Sequence, residues 1–369
     1  MKIKSTINTS KRLIAFTSML VATVLLVSAI GCERHVPSPT LGDTVQFTDS
    51  VGRTVEIPRN IERIAPSGTL SQIILYTLCP DKLVGLTNSF SASQLEYIPS
   101  KYASLPTLGD FFGNTLNLEA LMVANPQVII DIGDPNVSGN MRDDLDDLQE
   151  RTGIPVIFVE MDLATMVKAY NTLGEITGET EHAQELTNYI KQTLSETEQK
   201  AAGIPNADRV TVYYCQGDGL AAIAQGTFHS DVIDIVGGVN VTVLSSSIVA
   251  GNGTSTISME QLMLWNPSVI LFAPGSIYDS VATRAEWGGI TAIQNGTYYE
   301  VPSGPFNWMG RPPSVNRILG IKWLANLLYP KVFSYDMIEE TKEFYKLFYH
   351  CDLTNAQVTA LLTNSTYKQ

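Results

Sequence analysis

"NLEALMVANPQVII", residues 117–130, returns in altered form as "SMEQLMLWNPSVIL" at residues 258–271. Aligned without gaps, the two share Glu, Leu, Met, Asn, Pro, Val and Ile at seven of fourteen positions. Each copy reads as a short helix ending at Asn-Pro, since proline cannot continue a helix and biases its predecessor away from the α region. A β-branched run follows, so each copy is a helix-to-strand unit. Such a unit is common local grammar, but the match includes the one charged residue, and a chain that repeats it 141 residues on reads as two related α/β halves.

The flanking sequence fits that division. "VQFTDSVGRTVEIP" gives two alternating runs around a turn, a β-hairpin. "RIAPSGTLSQIILYTL" is a short strand, a turn and a helix; "KLVGLT", "PQVIIDIG" and "IPVIFVE" read as buried strands, and "MRDDLDDLQERTG" as a helix. This is the rhythm of a parallel sheet. Met141, Leu145 and Leu148 form the buried stripe of the acidic helix, whose aspartates read as a solvated face. From residue 163 to about 200 strand signals stop and apolar residues recur at helical spacing, with Gly174 and Gly178 as interruptions, giving one kinked helix or two. Alternation resumes with "RVTVYYC", "SVILFAP" and "TYYEVP". The tail from residue 329 reads as an amphipathic helix and a shorter one from about Thr354, packed on the second half.

The first 31 residues are excluded from the fold. Lys2, Lys4, Lys11 and Arg12 precede an apolar run at residues 13–30, and Ala29-Ile30-Gly31-Cys32 closes it with small residues before a cysteine, the pattern of an export signal. An uncleaved anchor is the alternative, since eighteen apolar residues just reach across a bilayer. Losing the four positive charges takes the formal charge from −13 to −17, which argues against nucleic acid and against peripheral binding to anionic lipid. Cys79, Cys215 and Cys351 have no metal-type spacing and read as buried apolar residues, with a single bridge left open.

These features together, with "TDSVGRTVEIP", "LGEITGETEHAQEL" and the paired "LEALMVANPQVII" and "MEQLMLWNPSVIL", resemble the substrate-binding lipoproteins of the iron-siderophore, haem and vitamin B12 class of ABC importers over residues 45–350. The resemblance implies an α/β fold of two Rossmann-like lobes bridged by a single long helix, with the ligand in the cleft between them and little hinge motion. It divides the chain into a lipoprotein signal (1–31), a tether (32–43), an N-terminal lobe (44–162), a bridging helix (163–203) and a C-terminal lobe with its helical tail (204–369). Cys32 matches the lipidated cysteine, which places the body outside the cytoplasm on a membrane anchor. A monomer without cofactor is implied, working with an ABC permease dimer and its cytoplasmic ATPase. In the family a glutamate on each lobe docks onto permease arginines, and the matching residues are Glu119 and Glu260. The same carboxylates also suit the positive end of a helix dipole.

Cleft-facing loops at strand ends are where a ligand is expected. In "PSGT", Ser67 and Thr69 hold an anion or serve as an N-cap. "GDFFGN" offers Phe111 and Phe112, of which the core claims at least one, and "QGTFHSD" offers His229 as a metal or haem ligand. In "SGPFNWMGRPPSVNR", Phe306, Trp308 and Arg311 suit a bulky anionic chelate, while Arg317 suits an acidic partner. The expected function is capture of an iron complex for import. Cobalamin, molybdate or tungstate, or a sensory role on the same fold, remain the alternatives. The chain has no P-loop, no G-x-S-x-G, no H-E-x-x-H and no C-x-x-C, so no enzyme signature competes.

Overall fold

The β-branched runs on either side of the Asn-Pro units assemble into two sheets. The computed structural model describes residues 43–113, 115–135, 139–244 and 253–367. The expected signal, the expected lipidation site Cys32 and nearly all of the expected tether lie outside the described residues. Among the described residues no helix is long and apolar enough to cross a membrane.

The first lobe opens with the antiparallel hairpin β1 (Thr44–Thr48) and β2 (Thr54–Pro58). Arg53 clamps it to the lobe, reaching Asp49 at 3.1 Å, the Val156 carbonyl at 3.0 Å and Asp146 at 2.7 Å. One aspartate of the acidic helix is thus a structural partner. The elements β3 (Ile64–Pro66), α1 (Thr69–Leu78), α2 (Leu118–Ala124), β4 (Val128–Gly133), α3 (Met141–Thr152) and β5 (Val156–Glu160) follow, and the strands form a parallel sheet in the order β3-β4-β5. "KLVGLT" is not a strand; it makes isolated bridges only, Leu83 to Ile64 and Leu86 to Thr107.

The expected bridge at 163–203 resolves into two helices. α4 (Met166–Thr177) ends where Gly178 takes φ 77°, a left-handed cap that glycine adopts without a Cβ penalty. α5 (Thr180–Ala202) then runs for 23 residues. α5 is the single long helix, packing on α4 on the first-lobe side and on second-lobe helices beyond.

The second lobe contains β6 (Thr211–Gln216), β7 (Ala221–Ile223), α6 (Asp231–Ile235), β8 (Val239–Asn240), β9 (Thr254–Thr256), α7 (Met259–Trp265), β10 (Val269–Phe272), α8 (Tyr278–Val281), α9 (Thr291–Gln294), β11 (Tyr298–Glu300) and α10 (Asn316–Leu328). Its sheet runs β11-β10-β6-β7-β9, with β8 also on β6.

The tail forms α11 (Met337–Tyr349) and α12 (Asn355–Leu361), and here the expectation is corrected. α11 packs on α10 but also on α1 of the first lobe. The Tyr76 hydroxyl donates to the Tyr349 carbonyl at 3.2 Å, and Tyr170 meets Phe348 edge-on at 6.5 Å. The aromatic spacing of "EFYKLFYH" feeds both lobes because a helix so rich in large rings has more than one face to bury. One apolar cluster therefore runs through both lobes, including Ile73, Tyr170, Ile190, Val212, Leu319 and Phe344. Separate clusters fill the outer side of each sheet. Cys79 and Cys215 are buried and Cys351 partly so, all three as free thiols.

Candidate functional site

The four stretches expected to face a ligand come together in two pairs, one per lobe. In the first lobe the β3–α1 turn meets the turn at residues 109–113, where the Phe111 N–H donates to the Ser67 carbonyl at 2.9 Å. Gly68 is the N-cap of α1, and no side chain caps that helix. The Ser67 hydroxyl is fully buried, donates to the Asp131 carboxylate and lies 3.1 Å from Ser71 Oγ. This corrects the reading of Ser67 as an anion seat: its hydroxyl is committed inside the lobe. Thr69 Oγ1 accepts from Asn88 at 3.2 Å and remains partly exposed. Phe111 is buried in the outer core beside Leu121, Ile129 and Phe158, so it holds the turn, whereas Phe112 is 42% exposed.

Asp131 was not singled out from sequence, since it sits inside the apolar run "VIIDIG" of β4. Burial pushes its carboxyl up to about 6; bonds from Ser67 and the Ile132 N–H pull it down, and the Asp110 charge pushes it up again. Asp110 is held in place by the N–H groups of Phe112 and Gly113 at 3.0 and 2.7 Å. The folded value of Asp131 is raised, so its contribution to stability is complete below about pH 4 and fades as pH rises through about 6. Asp131→Asn stays neutral throughout. Its stability relative to the wild type should therefore rise by about 2 kcal/mol between pH 4 and 7.5 in urea titrations, allowing for partial solvent screening. A difference that stays flat or falls would remove this account.

In the second lobe His229 Nδ1 lies 2.5 Å from the Gly310 carbonyl oxygen. A carbonyl only accepts, so Nδ1 carries the proton and Nε2 keeps its lone pair. Burial, then the Arg311 charge, lower the pKa of His229 to about 4 against the opposing pull of the carbonyl, and the ring is neutral at pH 7. The loop at residues 303–315 is shaped by Asn307, another residue the sequence did not single out, whose Oδ1 accepts from the N–H groups of Met309 and Gly310 at 2.7 and 3.1 Å. Trp308 is fully buried in the shared core, and Phe306 is buried against Tyr349 at 6.4 Å. Trp308 is corrected from a ligand contact to a support of the loop, while Phe306, 8% exposed, is closed off to about the same degree as His229, 6% exposed. Arg311 alone among the loop's three candidates is partly exposed. Arg317, on α10, is buried and pairs with Asp231 at 2.9 Å, and the charge of Asp162, from the β5–α4 connection of the first lobe, reaches it as well. The charge of Asp162 thus links the first lobe to α10, next in sequence to the second-lobe loop. Among the described residues no group of three or more His, Cys, Asp or Glu side chains converges to hold a bare metal ion.

The repeat is a structural repeat too. Asn117 caps α2 by accepting from the Ala120 N–H at 3.0 Å, and Ser258 caps α7 by accepting from the Gln261 N–H at 3.2 Å. Both helices end in a left-handed asparagine, Asn125 at φ 48° and Asn266 at φ 39°, before proline and the next strand. Glu119 and Glu260 stand at the same early helical position, exposed in both lobes.

A family model described as "Periplasmic binding protein" matches residues 74–305, more than half of the chain. A solved ABC transporter solute-binding protein from Sulfurospirillum deleyianum is 30% identical, with 86% of this chain and 99% of that chain covered and a TM-score of 0.77. The molybdate-binding protein MolA of Haemophilus influenzae is 22% identical over 333 residues, 82% of this chain and 90% of its own. The uncharacterized ABC transporter substrate-binding lipoprotein YvrC of Bacillus subtilis is 23% identical over 340 residues, 88% of this chain and 99% of its own. Proteins of this class are not enzymes; they bind small molecules and work with a permease and an ATPase. With two α/β lobes, a long helix between them and loops paired within each lobe, the chain belongs to the periplasmic binding protein family, as the substrate-binding component of an ABC importer.

Proposed function

We propose that the ligand is an iron complex, a ferric siderophore or haem-like chelate, held between the lobes outside the cytoplasm and delivered to the permease. The observation that carries this reading is His229: a neutral imidazole whose Nδ1–H is fixed on a backbone carbonyl, leaving Nε2 as the donor nitrogen. That is the arrangement in which proteins orient imidazole toward a metal. Arg311 beside it suits the anionic arms of a chelate, with Phe112 and Thr69 contributing from the opposite lobe. In this reading lipidated Cys32 anchors a monomer to the membrane, and Glu119 and Glu260 meet permease arginines.

An oxyanion ligand is the second reading, favoured by the similarity to a relative named for molybdate and by Arg311. Asp131 and Asp110 bring negative charge to the first-lobe turn, which opposes any anionic ligand on that side and leaves Arg311 as its anchor. Thermal unfolding of the mature protein against haem, ferric siderophores, cobalamin, molybdate and tungstate separates the two. A ligand present at a hundred times its Kd stabilises by about 2.7 kcal/mol. The expected result is a shift with an iron complex that His229→Ala abolishes and Arg311→Ala reduces. A shift with oxyanions alone, untouched by His229→Ala, would replace the iron reading.

A further inference from the structure

We infer that each docking handle is amphipathic: beside Glu119 and Glu260 stands a matched apolar pair, Met122–Val123 on α2 and Met263–Leu264 on α7, that seats in two equivalent apolar recesses of a two-fold permease dimer. This rests on the docking reading above. Val123 is 82% exposed and Leu264 79%, more than any other large hydrophobic residue among those described. They occupy the same place in the repeat, four residues after the glutamate. Met122, 50% exposed, and Met263, 43% exposed, stand three residues after it. Residues three and four apart share a helical face, so carboxylate and apolar pair form one surface on each lobe. Leu121 and Leu262, both fully buried, fix the rotation of the two helices so that the same positions turn outward.

A single exposed apolar side chain is ordinary. Two lobes that match at only half of the repeat's positions, yet keep an apolar residue strongly exposed at both of these, are not explained by the folding of either lobe. Val123 and Leu264 differ in identity and agree only in character and exposure. Equivalent patches fit equivalent acceptors, hence a partner made of two like halves. The carboxylate selects a cation there, and the apolar pair supplies the water-free centre in which interface energy concentrates.

The test measures binding of the mature protein to the cognate permease–ATPase complex in nanodiscs, at 0.15 M and 0.5 M NaCl. The variants are Val123→Ser, Leu264→Ser, the Ser pair, and the pair Glu119→Gln with Glu260→Gln. Each Ser substitution should weaken binding about tenfold, with the loss kept at high salt. The effect of the Gln pair should shrink there, because salt screens the charge term. Unchanged thermal midpoints establish that all variants fold. A Ser pair that binds like the wild type while the Gln pair is weak overturns this inference and leaves docking standing. If neither pair alters affinity, the docking reading falls and this inference with it. Ser variants that instead change the sedimentation of the protein alone would assign the patches to contact between copies of this chain, and overturn it as well.

Discussion

Reversing both handles, Glu119→Lys with Glu260→Lys, should abolish uptake of the ligand by intact cells while leaving ligand affinity of the purified protein unchanged. The two carboxylates are exposed on α2 and α7, helices that carry none of the proposed ligand contacts, so ligand affinity should not change. At an interface, removing one partner of a close charge pair costs about 2–5 kcal/mol, and reversal adds repulsion. At 1.4 kcal/mol per factor of ten, each handle loses on the order of a hundredfold or more. The helices themselves lose a favourable charge at exposed, solvent-screened N-termini, so the protein stays folded. Uptake of labelled ligand, set beside calorimetric affinity, reads both halves of the expectation. Full uptake by the double variant would mean that the glutamates serve only their helix dipoles.

Trp308→Ala should act in the opposite way, through stability. The ring is fully buried in the shared core, and α10 passes so close that a Cβ on Gly320 would stand 2.0 Å from the Trp308 carbonyl oxygen. The loop and helix are in backbone contact and cannot close over a missing indole. Truncating a buried tryptophan costs about 3–5 kcal/mol. For a protein of this size that lowers the thermal midpoint by roughly 4–7 °C. Arg311→Ala, on the same loop but partly exposed, should leave the midpoint nearly unchanged. Calorimetry of the two variants separates the roles. A Trp308→Ala protein with a wild-type midpoint and weakened ligand binding would return the ring to the ligand.

Much of the fold was legible because its signals are local. Asn-Pro followed by "QVII" or "SVIL" marks a helix end and a strand start within a few residues, and Gly178 separates α4 from α5 on its own. The site was legible only in outline. His229 and Arg311 were visible as unusual residue types in loops. That Ser67 is bound to Asp131 depends on a pairing 64 residues away, and the tautomer of His229 on a carbonyl 81 residues away. Such closures are made by the sheet and by α10 and leave no mark in periodicity. Exposure was hidden in the same way: "EALMVAN" reads as an amphipathic turn whether its second apolar pair faces a core or a partner.

The tail's place against α1 has a consequence in time. Tyr76 waits for Tyr349, 273 residues further along. Until the tail has followed, the earliest helix of the first lobe stands with an aromatic face uncovered, and the shared core has no floor. The first lobe is therefore not a unit that finishes before the second begins. The last long helix to be made completes the first one.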